Sequence, residues 1–148
     1  MSFALSSLAF AEGQPVPERH TCEGKNSSPP LSWSGVPEEA RALALIVEDP
    51  DAPRGVWTHW LAWGIEPGAG GLREGERPRA EGLNDFGKVG YGGPCPPHGH
   101  GPHRYVFRLH ALDTRLDLAR GATKWELERA LAGHVLAVAE LVGTFERR

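Results

Sequence analysis

The stretch Gly93 to Tyr105, GPCPPHGHGPHRY, sets Cys95, His98, His100 and His103 among glycines and prolines. Histidine and cysteine are zinc ligands, so a metal site is the first chemistry to weigh. The spacing has neither the C-x-x-C nor the H-x-x-x-H step that makes such a signal specific, and short His-rich tracts are weak by composition. Glycine and proline carry a second reading. Glycines let backbone N–H groups approach a ligand, prolines hold the loop's shape, and successive N–H groups can form a concave anion site. Two further segments offer side chains to such a site. EDPDAP, Glu48 to Pro53, places Asp49 and Asp51 beside prolines that restrict the backbone, although Asp before Pro is also ordinary turn chemistry. VWTHW, Val56 to Trp60, places His59 in a tryptophan-rich run, where a core histidine satisfied by backbone is the plainer reading. An aspartate within reach of an imidazole favours its charged form, so Asp49 near His59 or His103 would make a pocket attractive to phosphate or sulfate.

These residues need strands to position them. Arg41 to Glu48, RALALIVE, is apolar on both faces and stopped by Asp-Pro, which predicts a central strand. Over Val56 to Ile65, alternation puts Trp57, His59, Leu61, Trp63 and Ile65 on one face and Thr58, Trp60, Ala62 and Gly64 on the other. His103 to Leu112 puts His103, Tyr105, Phe107, Leu109 and Ala111 on one face. Glu66 to Lys88 reads as a long loop with at most one short strand. A capping box at Thr123-Lys124-Trp125-Glu126 opens a helix whose stripe runs through Leu127, Ala130, Leu131, His134, Val135 and Val138. Glu140 to Glu146 is expected to be the last strand, and the opening MSFALSSLAFAEG a first strand, not a signal peptide, since no Lys or Arg precedes Arg19. The expected architecture is mainly β: one domain over residues 1–148, an antiparallel β-sandwich of two sheets with one or two helices near the C-terminus.

Composition narrows the partners. A formal charge of −3 gives no basic footprint for nucleic acid, and no stretch is long enough to span a bilayer. The 19 glycines and 13 prolines are interleaved with tryptophans and aliphatic runs, which suits a turn-rich β protein better than disorder. Cys22 and Cys95 are the only cysteines; reduced, idle thiols and a cytoplasmic location are the expectation, with a disulfide as the alternative.

SPPLSWSGVP (Ser28 to Pro37), DPDAP (Asp49 to Pro53), WTHW (Trp57 to Trp60), GYGGPCPP (Gly90 to Pro97) and GPHRYVFRLHALD (Gly101 to Asp113) together resemble the phosphatidylethanolamine-binding protein family, in its bacterial and archaeal branch. The likeness runs from HTCEG at His20 to Phe145. The resemblance implies a two-sheet sandwich with a small anion pocket at one end. By motif position, it also implies that Asp49, His59, Pro97, His103 and Tyr105 line that pocket, with Trp57 as an aromatic wall and Asp51 shaping the turn. His98 and His100 match no required position. Only Arg54-Gly55-Val56 separates DPDAP from WTHW, fewer residues than many relatives carry, and the longer C-terminal extension of eukaryotic members is not matched.

The function expected is binding of a small anion or phosphorylated head group, without metal or cofactor, as a regulator or inhibitor of a protein partner such as a kinase or protease. The rival is a hydrolase that uses an Asp–His pair as general base on an ester or phosphoester. A pure protein-interaction module is a third reading. A homodimer, no nucleic-acid partner and no stable membrane insertion complete the expectations.

Overall fold

A computed structural model describes residues 2–148. Its strands are β1 (Ala4–Ser6), β2 (Leu31–Ser34), β3 (Ala42–Asp49), β4 (Trp57–Ile65), β5 (Gly71–Leu72), β6 (Ala80–Glu81), β7 (His103–Leu112) and β8 (Val135–Phe145), with one α-helix, α1 (Lys124–Leu131). They form two antiparallel sheets, one ordered β1-β2-β5 and the other β6-β4-β3-β7-β8. The small sheet supplies Leu5, Leu31, Trp33 and Leu72 to the core between the sheets, and the large one answers with Leu43, Leu45, Val47, Trp60, Phe107 and Leu109. On the other face of the large sheet, Leu127 and Leu131 of α1 pack on Ala44, Ile46, Leu61, Trp63 and Leu112. β3 is therefore covered on both sides, which is why all eight of its residues are buried and the first six, Ala42 to Val47, are apolar.

The expected sandwich is the fold found, with three local differences. The helical stripe stops early: α1 ends at Leu131, and Gly133 follows with φ +82°, a left-handed conformation that closes a helix. Val135 and Val138 belong to β8 instead of the helix, and β8 starts at Val135, five residues before the expected Glu140. β-branched valines that follow a helix stop find a full-length partner in β7, from His103↔Phe145 to Leu112↔Val135. The long loop after β4 holds two short strands, not one, because β5 closes the small sheet and β6 the edge of the large one.

The third difference lies in β4. Val47 pairs with Trp60 but Glu48 with Thr58, so His59 is an extra residue on β4, a β-bulge. A second shift falls between Leu43 and Leu45. Strict alternation fails across both. Trp60, Ala62 and Ile65 join the core between the sheets, while Leu61 and Trp63 turn to the helix side, so His59 does not share a face with them.

Candidate functional site

The C-terminal end of β3 lies between the N-terminal ends of β4 and β7, because both neighbours run antiparallel to it. Asp49 closes β3, Trp57 and His59 open β4, and His103 and Tyr105 open β7. All five line one cavity of about 180 Å³. Asp49, His59, His103 and Tyr105 are its polar members; Pro53, Trp57, Phe86, Pro96 and Pro97 make its apolar walls. The structure thus brings together Asp49, Trp57, His59, Pro97, His103 and Tyr105, and leaves Asp51 just outside the cavity.

Asp51 acts as a tie. Its carboxylate accepts hydrogen bonds from Arg104 Nε at 2.9 Å, Nη2 at 2.8 Å and backbone N–H at 2.9 Å. The Arg104 guanidinium holds its carboxyl down at about 2. Its own backbone N–H donates to Asp49 Oδ1 at 2.7 Å, and the other Asp49 oxygen, Oδ2, accepts from His103 Nδ1 at 2.6 Å. The ends of β3 and β7 are cross-linked twice over, and the Asp49 charge is directed at the His103 ring. Asp49 and His103 are both almost fully buried, so this pair is poorly screened.

His59 is fixed from the opposite side. Its Nδ1–H donates to the Gly92 carbonyl at 2.6 Å, while Gly92 N–H donates to the His59 carbonyl at 2.9 Å. A carbonyl can only accept, so the neutral ring carries its proton on Nδ1 and leaves Nε2 as its uncommitted nitrogen. The ring packs edge-on against Tyr105 and Phe86, at 5.2 Å and 5.4 Å between centroids. Burial lowers the His59 pKa and favours the neutral ring. The Tyr105 hydroxyl is buried with no hydrogen-bond partner among the described residues. Burial raises the Tyr105 phenol, with the Asp49 carboxylate acting in the same direction, so it stays a protonated donor.

The loop that forms the far wall is clamped from behind. Cys22 and Cys95 are joined in a disulfide with Cα atoms 5.4 Å apart, which corrects the expectation of two idle thiols. Cys22 N–H donates to the Pro94 carbonyl at 3.1 Å, Asn26 Oδ1 accepts from Gly93 N–H at 2.9 Å, and Tyr91 Oη donates to the His20 carbonyl at 2.6 Å. Gly93 has to be glycine, since a Cβ there would stand 2.2 Å from the His20 carbonyl oxygen. A polar side-chain hub on the other side, Asn84, donates to the Gly90 carbonyl and accepts from the N–H groups of Phe86 and Lys88, which sets Phe86 against Trp57 and His59. Arg147 Nε donates to the Pro96 carbonyl at 2.7 Å.

Phe86, Asn84, Asn26, His20 and Tyr91 were not foreseen from sequence. Only Asn84-Asp85-Phe86-Gly87 carries a visible sign, since Asn and Gly mark a turn. His98 stands outside the cavity with Nδ1 3.2 Å from the Arg148 carbonyl oxygen. His100 is different: its Nδ1 lies 2.6 Å from His103 Nε2. Among the described residues no group of three or more His, Cys, Asp or Glu has a metal-holding arrangement.

A family model described as "Phosphatidylethanolamine-binding protein" matches residues 6–146. The chain is 52% identical over 150 residues to a "UPF0098 protein" of Methanothermobacter thermautotrophicus, covering 97% of this chain and 98% of that one. It is 44% identical over 144 residues to a Mycobacterium tuberculosis protein named lipoprotein LppC, covering 96% of this chain and 71% of that one. A crystal structure of a phosphatidylethanolamine-binding protein homolog from Chlamydia trachomatis superposes with a TM-score of 0.94 at 44% identity, over 99% of each chain.

Proposed function

The chain belongs to the phosphatidylethanolamine-binding protein family, and from that premise we propose that its cavity binds a small anion or the phosphorylated head group of a larger molecule, without turning it over. The observation that carries this reading is the Tyr105 hydroxyl, a buried donor with no partner among the described residues, on a cavity that His59 also lines. An unpartnered buried hydroxyl costs about 1–3 kcal/mol, and a ligand oxygen would remove that cost. Size supports a small ligand, since about 180 Å³ is well below the roughly 300–1,000 Å³ of pockets for drug-sized molecules. Val56, Trp57 and Phe86 are exposed beside it, an apolar rim for whatever carries the anionic group, including a protein whose activity the binding would restrain.

The rival hydrolase reading has one observation in its favour, the 2.6 Å Asp49–His103 pair, which is how a general base is prepared. Against it, the other His103 nitrogen is already engaged by His100, the cavity wall holds no Ser, Thr or Lys, and Cys95 is tied up in the disulfide. Disulfides are usual in oxidising compartments and in intracellular proteins of hyperthermophiles. The cytoplasmic placement is accordingly proposed only for the second setting; no helix among the described residues is long and apolar enough to cross a membrane.

Phosphate and phosphoethanolamine should raise the melting temperature, more at pH 6 than at pH 8, because protonated imidazoles bind the anion; at 100 times Kd the gain is about 2.7 kcal/mol. His59→Ala should shrink it. Protection by neither compound at either pH rejects the reading, and turnover of a generic phosphoester or acyl ester that is lost in His103→Ala supports the hydrolase.

A further inference from the structure

His100 is an exposed histidine on the loop after Pro97, yet it is bonded to the most buried imidazole of the cavity. His103 has two polar atoms. Nδ1 is committed to Asp49, so Nε2 is the nitrogen left for a ligand, and His100 Nδ1 occupies it at 2.6 Å. Gly99 and Gly101 flank His100 with φ of +73° and +85°, and nothing lies within 4 Å of a Cβ placed on either. Glycines in open space on both sides let the histidine swing away without disturbing β7.

We infer that His100 is a latch on the anion site: it closes the site by capping His103 Nε2, opens when the imidazole pair takes up a further proton, and makes anion capture proton-coupled. This rests on the anion-binding reading of the cavity. Two imidazoles joined nitrogen to nitrogen need one proton between them, because one must donate and the other accept. The neutral pair meets that condition with the His100 Nδ1–H donating to His103 Nε2. So does the singly charged pair, with the roles reversed. A second positive charge puts two N–H groups nose to nose, and the bond is lost. Both groups then become donors of the charge-assisted kind that an anion prefers.

Charged and titratable groups surround the pair. Asp49 of β3 faces His103 directly; Asp51 lies beyond it, neutralised by Arg104 of β7. His59 of β4 and Tyr105 of β7 line the same cavity, His98 sits on the loop itself, and Arg147 after β8 holds the Pro96 carbonyl. Asp49 is the buried acid in contact with the pair, and Arg104 is already paired with Asp51.

Sulfate is the probe, since it stays a dianion from pH 6 to pH 8 and brings no titration of its own. Its association constant should rise with falling pH in the wild type. In His100→Ala the slope of log Ka against pH should be shallower by about one, the proton the pair no longer takes up. The two profiles should cross, with His100→Ala binding several-fold tighter at pH 8 and several-fold weaker at pH 6. Parallel profiles overturn the latch. A second arm needs no ligand: carbethoxylation of His103 Nε2 by diethyl pyrocarbonate at pH 7, located by peptide mass, should be several-fold faster in His100→Ala. Equal rates overturn the latch whether or not sulfate binds. Absence of sulfate binding in both proteins, with unequal rates, leaves the latch standing and rejects the anion-site reading alone.

Discussion

The Tyr105 hydroxyl is held in a state that suits a ligand and does not suit the empty protein, whereas the His59 ring must gain a proton on Nε2 before it can donate to an anion. Tyr105→Phe removes a buried hydroxyl that has no partner. It should leave the protein as stable or more stable by up to about 1 kcal/mol in chemical denaturation. The same change should reduce the thermal protection given by phosphate. A destabilised Tyr105→Phe would mean that the hydroxyl has a partner and is not waiting for one. His59 makes a second test through pH. Burial lowers its folded-state value below the ordinary one of about 6.5, so between those two values the unfolded chain binds more protons than the folded one. Stability is therefore complete above about pH 6.5 and falls as the pH drops through that window. Buried His110 is shifted in the same direction by the same cause. Unfolding free energies from pH 7.5 to 5.5 should decline, and His59→Gln should flatten part of that decline, with His110 still contributing in the same direction. An unchanged slope in the variant would show that burial does not lower the His59 pKa in the fold.

Among the elements, β3 and β7 were legible because each rule that bears on them agrees: apolar on both faces means covered on both, and alternation from His103 to Ala111 means one face inward. The start of α1 was legible too, since Thr123 Oγ1 accepts from Glu126 N–H while Glu126 Oε1 accepts from Thr123 N–H. Its end was not, because Leu127, Leu131, Val135 and Val138 satisfy a helical period whichever structure they adopt, and a lone Gly133 decides the matter. The bulge at His59 was hidden for a different reason: it is a property of how β4 pairs with β3, and no single strand displays it. Thr123→Ala separates helix from site. It should cost about 1 kcal/mol of stability through the lost cap. Because α1 packs on the far face of the large sheet, sulfate affinity should be unchanged at conditions where the variant is folded. A change in affinity would mean that the helix supports the cavity floor.

At the scale of the whole molecule, the cavity is an assembly of strand ends and of loops distant in sequence, and legibility divides along that line. Asp49, His59 and His103 could be singled out because each sits near a strand end beside turn residues, and Tyr105 only through the family resemblance. Their supports could not, because His20 meets Tyr91 and Asn26 meets Gly93 only through the folded chain. The Cys22–Cys95 bond joins these two regions across 73 residues and has Cys95 on the cavity wall, so it links global stability to the site. Closing a loop of that length removes denatured-state entropy worth about 4 kcal/mol. Replacing both cysteines by serine should lower the unfolding free energy by about that amount. The fold should persist, since Cys22 N–H on Pro94, Asn26 on Gly93 and Arg147 on Pro96 still hold the loop. The cavity should suffer more than the fold does: Pro96 and Pro97 would lose their covalent anchor, and sulfate should protect the double variant less than the wild type at matched distance below its melting temperature. Reductant should reproduce both effects in the wild type and neither in the variant. If it leaves the wild type unmoved in stability and in sulfate protection, the bond is no part of what shapes this site.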